Sequence, residues 1–185
     1  MSNLPNFITL GRVILVPIVF WLLLSGQMQV AFFLFVIAGI SDGVDGYLAK
    51  RFGWTTELGA YLDPLADKLL LVCIFIALAV GSQLPLWLVI AVVSRDLLIV
   101  IGVVLSWLLA NPVHIHPLVV SKFNTVFQIL LAAVVMADEG FGLGLAPLRT
   151  ALIWITAILV LVSLAAYVRT WLLHMTGYGS ATPPG

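Results

Sequence analysis

Four aspartates lie close together in a chain that is otherwise almost free of charge. Asp42 and Asp45 are three positions apart, and Asp63 and Asp67 are four positions apart. Residues at these spacings share one face of a helix, so each pair presents two carboxylates on the same side. A short connection separates the two pairs. We therefore expect the four carboxylates to converge in one pocket.

A pocket of four carboxylates needs counter-charge. One charged side chain costs at least ~2.5–3.5 kcal/mol at the centre of a bilayer on insertion scales, and less near the interface. Divalent cations would supply the missing positive charge. Oxygen ligands without a nearby histidine or cysteine suit Mg²⁺, Mn²⁺ or Ca²⁺ rather than Zn²⁺. Four carboxylates are enough for two ions, the arrangement that enzymes use for phosphoryl-type displacements.

Small and basic residues surround the acids. The small residues are Gly43, Gly46, Ala49 and Gly59, and the basic ones are Lys50, Arg51 and Lys68. An acidic pocket with metals, flanking cations and bare helix backbone suits a nucleotide diphosphate. Two structural alternatives stay open: the small residues allow close helix packing, and the basic residues mark a cytoplasmic helix end.

The elements that must position these residues are long and apolar. The chain has 185 residues, of which 63% are hydrophobic and 9% charged, against about 25% charged in a soluble domain. This composition predicts an integral membrane protein, and its zero net charge excludes a strongly basic nucleic-acid face. The apolar runs do not alternate as barrel strands would, and they match the length of membrane helices. Six such runs are present, at about 7–25, 29–49, 58–81, 85–109, 117–137 and 147–172.

The predicted fold is therefore all-α, with six transmembrane helices joined by short connections that make consecutive helices antiparallel. Asp42 and Asp45 fall on the last two predicted turns of the second helix, and Asp63 and Asp67 on the first turns of the third. Residues 1–175 form one domain. The Gly-, Pro- and Ser-rich tail 176–185 is expected to be disordered.

Basic residues predict the orientation, because they favour the cytoplasmic side. Lys50, Arg51, Lys122 and Arg169 all fall on one side if both termini are cytoplasmic. Arg149 is the exception, beside Asp138 and Glu139 on the other side. We expect a multi-pass protein of a bacterial inner membrane or an equivalent membrane.

The acidic stretch also resembles a known signature, that of the CDP-alcohol phosphatidyltransferases. The residues that carry this resemblance are Asp42-x2-Asp45-Gly46-x2-Ala49 and Gly59-x3-Asp63-x3-Asp67. The family has Arg after the alanine, where this chain has Lys50 followed by Arg51. Either residue takes that role, and a lysine keeps the charge without the bidentate fork. Three further segments resemble the glycerol-acceptor branch: Pro5-Asn6-x2-Thr9-x2-Arg12, Ser94-Arg95-Asp96 and Ser121-Lys122-x-Asn124-Thr125.

The resemblance implies a fold, a reaction and a set of roles. Six transmembrane helices would surround a polar cavity open to the cytoplasmic side, usually in a homodimer. A phosphatidyl group would move from CDP-diacylglycerol to an alcohol with release of CMP, and Asp67 would act as general base on the acceptor hydroxyl. Two divalent cations, Mg²⁺ or Mn²⁺, would be held by Asp42, Asp45, Asp63 and Asp67. The CDP site would be formed by Asp42, Gly46, Ala49, Lys50, Arg51 and Gly59.

Two glycerol-type acceptors remain open. The Ser-Arg-Asp run, and Asn124 where a second lysine is common in glycerophosphate enzymes, resemble the CMP-forming cardiolipin synthases, which implies phosphatidylglycerol as acceptor. The alternative is glycerol 3-phosphate, which gives phosphatidylglycerophosphate. The candidate ligands of the acceptor or lipid phosphate are Arg95, Lys122, Asn124, Arg169 and Arg12.

Structural roles compete with these assignments. In the structural alternative, Arg95 and Asp96 form an ion pair that only fixes the packing of the helices. Arg12 and Arg169 would then anchor helix ends at the membrane interface. An ion-coupled transporter is a distant functional alternative. It is disfavoured because transporter sites lie near the midplane between repeats, whereas these acids cluster towards one interface and no repeat is visible.

Overall fold

The structure, a computed structural model, describes residues 4–52, 57–108 and 119–175, with side chains over most of 14–41, 68–101 and 120–170. Within these ranges the chain is all-helical, as predicted. The predicted disordered tail, 176–185, lies outside the described residues. The helices are α1 (Leu4–Leu24), α2 (Met28–Phe52), α3 (Glu57–Val80), α4 (Leu86–Leu108), α5 (Val119–Phe141) and α6 (Ala146–Met175).

Three helices, α2, α5 and α6, run further at their C-terminal ends than the sequence predicted. α2 continues to Phe52, so Asp45 lies within its last two turns as predicted, whereas Asp42 lies almost three turns from the end. α5 continues through Asp138 and Glu139, where we expected a loop. The Asp138 carboxylate accepts a hydrogen bond from the Leu145 N–H at 2.8 Å. These acids therefore fix the turn after the helix rather than ending it.

The helices pack in a closed ring in the order α1, α2, α5, α6, α4, α3, and α3 also contacts α5 across the middle. This crossing contact divides the bundle into two compartments. One is enclosed by α1, α2, α3 and α5, and the other by α3, α4, α5 and α6. In the described parts of the chain, α2 and α3 do not pack directly on each other, but both pack on α1 and on α5.

The outer surface of the ring is apolar. Ile40, Val80 and Leu161 are each more than 60% exposed, and large hydrophobic side chains are exposed along all six helices. A soluble monomer rarely exposes such an extensive apolar surface, whereas a bilayer covers it. Two helical segments are long and apolar enough to cross a membrane, Val120–Phe141 and Ala146–Thr170. The fold is that of a membrane protein.

Two helix ends at the same end of the bundle use the same turn. Gly26 follows α1 with φ +74°, and Ser82 follows α3 with φ +62°. In each case the next N–H donates to the carbonyl five residues back, from Gln27 to Leu22 at 2.9 Å and from Gln83 to Leu78 at 2.8 Å. This is the helix-ending motif that favours glycine at the left-handed position. Ser82 adopts that conformation with a side chain, at a steric cost.

Candidate active site

The helix positions bring the four signature aspartates to two matched depths. Asp42 lies ten residues before the end of α2, and Asp67 lies ten residues after the start of α3. Asp45 and Asp63 lie seven and six residues from the same ends. At 1.5 Å per residue, these positions are roughly 15 Å and 10 Å into the bundle. Asp42 and Asp67 therefore lie further from the ends of their helices than the sequence predicted.

Several predicted ligands have side chains outside the described set. They are Asp42, Asp45, Gly46, Ala49, Lys50, Arg51, Gly59, Asp63, Asp67 and Arg12. The backbone places them on α2, α3 and α1, and their roles remain predictions. Among the side chains that the structure does describe, no three acidic, histidine or cysteine residues lie together as a competing metal site.

A cavity of about 450 Å³ lies between α2, α3 and α5, beside the helix segments that carry the aspartates. This volume is typical of a small-molecule site, for which ~300–1,000 Å³ is usual. Its wall is apolar apart from Lys68 and Thr125. Ile40 and Ile129, which also line it, are 63% and 43% exposed. The remaining lining residues are Phe35, Val36, Ala38, Gly39, Leu70, Leu71 and Ala133.

In the second compartment, Arg95 on α4 is almost fully buried, with 2% of its surface exposed. Its guanidinium donates to Ser163 Oγ on α6 from Nε at 3.2 Å and from Nη2 at 2.5 Å. Nη2 also donates to Ser121 Oγ on α5 at 2.6 Å. The guanidinium carbon lies 5.5 Å from the centre of the Tyr167 ring, within cation–π distance. Arg95 therefore ties α4, α5 and α6 together.

Asp96 links this buried arginine to α3. Its Oδ1 accepts from Arg95 Nη1 at 2.5 Å, and its Oδ2 lies 3.2 Å from Lys68 Nζ. The ion pair that the sequence suggested between Arg95 and Asp96 is thus present, and it extends to a second cation. Two cations share one carboxylate, which leaves the group with one excess positive charge.

The predicted acceptor ligands fall into three environments. Arg95 is buried in its network. Lys122 and Arg169 are exposed on α5 and α6, and Arg169 borders a groove with five apolar residues of its own helix, Leu161, Leu164, Ala165, Val168 and Leu172. Asn124 is fully buried, and neither its Oδ1 nor its Nδ2 has a hydrogen-bond partner among the described residues. The structure does not bring Lys122 or Arg169 into the Arg95 network.

Sequence reasoning missed several polar residues of the core. Ser163 and Tyr167 contact Arg95, while Gln128 and Thr156 are buried with unpartnered polar atoms. A signal was present on α5, where Ser121, Asn124 and Gln128 recur at the i, i+3, i+7 spacing of one helix face. On α6, Thr156 and Ser163 are seven residues apart and share a face in the same way.

Comparison with known proteins bears on the chemistry of this site. Residues 2–166 match the family profile described as CDP-alcohol phosphatidyltransferase. The chain is 38% identical over 157 residues to the chloroplastic CDP-diacylglycerol–glycerol-3-phosphate 3-phosphatidyltransferase 1 of Oryza sativa, which covers 76% of this chain and 48% of the rice protein.

Relatives of both acceptor types are found. The chain is 30% identical over 158 residues to the CMP-forming cardiolipin synthase of Rattus norvegicus, covering 76% of this chain and 52% of the rat protein. It is 28% identical over 174 residues to the CDP-diacylglycerol–glycerol-3-phosphate 3-phosphatidyltransferase of Rickettsia typhi, covering 91% of this chain and 97% of that protein. The chain spans about half the length of the rice and rat relatives and almost all of the rickettsial one.

Proposed function

Because the chain belongs to the CDP-alcohol phosphatidyltransferase family, we propose that it transfers a phosphatidyl group from CDP-diacylglycerol to a glycerol-type acceptor. The observation that carries this proposal is the position of the family's four aspartates, at matched depths on α2 and α3 beside a cavity with a lysine at its wall. The distant alternative, an ion-coupled transporter, gains no support from the family match.

The cavity suits the donor lipid. Its apolar wall accommodates an acyl chain, and Lys68 offers a positive charge to a phosphate at the same place. The exposed Ile40 and Ile129 are consistent with an opening towards the bilayer, so the acyl chains of the donor stay in an apolar environment while its diphosphate meets the aspartates. Gly46, Ala49 and Gly59 leave room beside the backbone for the CDP group, with Lys50 or Arg51 as its cation.

The reaction needs one proton transfer and one displacement. Asp67 accepts the proton of the acceptor hydroxyl, whose oxygen then bonds to the phosphorus of the phosphatidyl group. The bond from that phosphorus to CMP breaks, and CMP leaves with the electron pair. Divalent cations bound to Asp42, Asp45, Asp63 and Asp67 would offset negative charge on the diphosphate. The carboxylate set fits Mg²⁺ or Mn²⁺, since both prefer oxygen ligands.

The acceptor that we propose is phosphatidylglycerol, which makes the enzyme a CMP-forming cardiolipin synthase. A free phosphate dianion calls for several available cations. Arg95 already makes three hydrogen bonds to hydroxyls and one to Asp96. This occupied guanidinium favours a singly charged phosphodiester over a dianion. Glycerol 3-phosphate is the second candidate, because the rice and rickettsial relatives are named for it.

In the membrane, we propose six transmembrane helices with both termini cytoplasmic. The shortest helix has 21 residues, which at 1.5 Å per residue spans a hydrocarbon core of ~30 Å. Arg149, the exception to the charge rule, forms an ion pair with Glu139 at 2.7 Å. A homodimer, as usual in the family, is part of the proposal and is testable by cross-linking in native membranes.

A side-by-side assay tests the function and the acceptor together. Purified protein receives CDP-diacylglycerol and Mn²⁺ with either phosphatidylglycerol or glycerol 3-phosphate, and the lipid product is identified by its mass. We expect CMP release and cardiolipin. If product forms only with glycerol 3-phosphate, the acceptor is glycerol 3-phosphate and not phosphatidylglycerol. If no glycerol acceptor gives CMP release, the enzyme proposal is overturned. Exhaustive chelation should abolish activity, and Mg²⁺ or Mn²⁺ should restore it.

A further inference from the structure

Lys68 belongs to both compartments of the bundle. It lines the cavity between α2, α3 and α5. Its ammonium pairs with Asp96, which belongs to the compartment enclosed by α3, α4, α5 and α6. Its side chain is 46% exposed, so a ligand in the cavity can reach it. Arg95, only 2% exposed, cannot be reached in the same way. Lys68 is therefore the accessible cation of this group.

Asp96 determines where the Lys68 ammonium lies. Each of its carboxylate oxygens serves a different cation, Oδ2 the ammonium and Oδ1 the guanidinium. The guanidinium is in turn fixed by Ser121 and Ser163. A continuous chain of polar contacts thus runs from α6 through Arg95 and Asp96 to Lys68 on α3.

A lysine needs such a partner if it is to hold one position. Its ammonium is a point charge on a flexible four-carbon stem with about 2 kcal/mol of rotamer entropy. Asp96 is the only carboxylate paired with Lys68 among the described side chains. Without it, the ammonium would lose its one fixed contact there.

We propose that Asp96 is a positioning residue, which holds the Lys68 ammonium at the cavity wall to bind the phosphate of a lipid substrate. Arg95 is the buried anchor of this arrangement. The proposal rests on the proposed function, since it concerns the same site. The shared ligand chemistry is a lipid phosphate, belonging either to the donor diphosphate or to the acceptor phosphodiester.

The test is a double-mutant cycle on the purified full chain. Asp96→Asn, Lys68→Met and the double variant are assayed for CMP release, with donor and acceptor varied in separate series. We expect Asp96→Asn and Lys68→Met each to raise KM for one of the two lipids, by roughly 3- to 10-fold, with kcat changed by less than about twofold. The lipid whose KM rises identifies the phosphate that Lys68 binds.

Coupling distinguishes positioning from general damage. If Asp96 acts through Lys68, the double variant has the KM of Lys68→Met alone. Asp96→Glu, which keeps the carboxylate, should restore most of the affinity that Asp96→Asn loses. Glu139→Gln is the matched control: it also removes a carboxylate paired with an arginine, at the other end of the bundle, and it should change neither constant.

Several outcomes would overturn the proposal while leaving the enzyme assignment intact. They are an unchanged KM in Asp96→Asn, KM effects that multiply in the double variant, and a fall in kcat and thermal stability without a change in KM. If Asp96→Asn does not fold, Lys68→Met decides alone, because it leaves the contact between Arg95 and Asp96 in place; a wild-type KM then contradicts the proposal. An inactive wild-type protein would instead contradict the proposed function.

Discussion

Arg95 and Arg149 lie at different depths in the bundle, and the charged side chains around them differ. A second cation accompanies Arg95, and a second acid accompanies Arg149. Both bind a carboxylate at short distance, Asp96 at 2.5 Å and Glu139 at 2.7 Å. Arg95 is buried and shares its carboxylate with Lys68, so two cations meet one acid among the described side chains there. Arg149 is partly exposed and lies near two acids, Asp138 and Glu139, so negative charge is in excess.

The comparison separates a binding environment from a structural one. Arg149 donates to Glu139 and to the carbonyl of Gln83, which ties the α3–α4 turn to the end of α5. The Arg149 guanidinium is thus engaged in contacts within the protein. The pair of Arg95 with Asp96 is instead shared with Lys68, which borders the cavity. The second cation on the same carboxylate is what sets this pair apart from that of Arg149, and our proposal of a lipid-phosphate site rests on it.

The largest difference between the two regions should appear in catalysis. Asp67→Asn removes the proposed general base and should lower the rate of CMP release by about 10²–10⁴-fold, with donor binding partly retained. Asp138→Asn makes the same chemical change at the opposite end and should leave the rate within about twofold, because an asparagine oxygen still accepts a hydrogen bond. Wild-type turnover in Asp67→Asn would refute the assignment of the base.

Stability should distinguish the two arginines next. Arg95→Met leaves Asp96 partly buried without its guanidinium partner and breaks contacts to α5 and α6, which should cost about 3–5 kcal/mol of unfolding free energy. Arg149→Met removes a partly exposed pair and should cost at most ~1 kcal/mol. Denaturant unfolding in detergent micelles measures both values. Equal losses would show that burial does not separate the two arginines.

Polar side chains should differ even in the sign of their effect. Asn124 is buried, and neither of its amide atoms has a partner among the described side chains; an unsatisfied buried group costs about 1–3 kcal/mol. Asn124→Leu should therefore keep or raise the unfolding free energy, while turnover falls if the amide binds the acceptor. Gln29 donates to the Gly140 carbonyl at 2.6 Å, so Gln29→Leu should lower the unfolding free energy by about 0.5–1.5 kcal/mol with turnover unchanged.

Thermal unfolding and CMP release of both variants check these signs. A clear loss of stability in Asn124→Leu would mean that its amide has a partner in the membrane. Full activity in the same variant would exclude Asn124 from the acceptor site.

The smallest effect concerns the turns. Ser82→Gly should raise the unfolding free energy by ~0.5 kcal/mol, because glycine adopts the left-handed conformation without strain. Gly26→Ser should lower it by a similar amount, since it introduces a side chain at the equivalent position. Neither should affect KM. A decrease in stability for Ser82→Gly would mean that the serine hydroxyl contributes more than its backbone strain costs.

Local features of this molecule were predictable from sequence. Unbroken apolar runs predicted the helices, and they placed the two pairs of aspartates on α2 and α3, as the structure has them. The ring order was not predictable, because it depends on how side chains fit around each helix rather than on hydrophobicity. The contact of Lys68 with Asp96 depends on that order. The C-terminal end of α5 was predicted too early, because Asp138 and Glu139 suggested a loop. Their contacts with Leu145 and Arg149 depend on the three-dimensional structure and could not be predicted from the sequence.

Ile40 and Ile129 line the cavity and are 63% and 43% exposed, so the proposed entry of the donor from the bilayer has a consequence for the rate. A substrate that enters from the side arrives by diffusion in two dimensions, so the protein responds to the mole fraction of the lipid in the bilayer and not to its concentration in the bulk solution. Adding inert lipid at constant total substrate should then slow the reaction. The dissociation constant of a lipid at the proposed Lys68 site is then expressed as the surface density of that lipid in the bilayer.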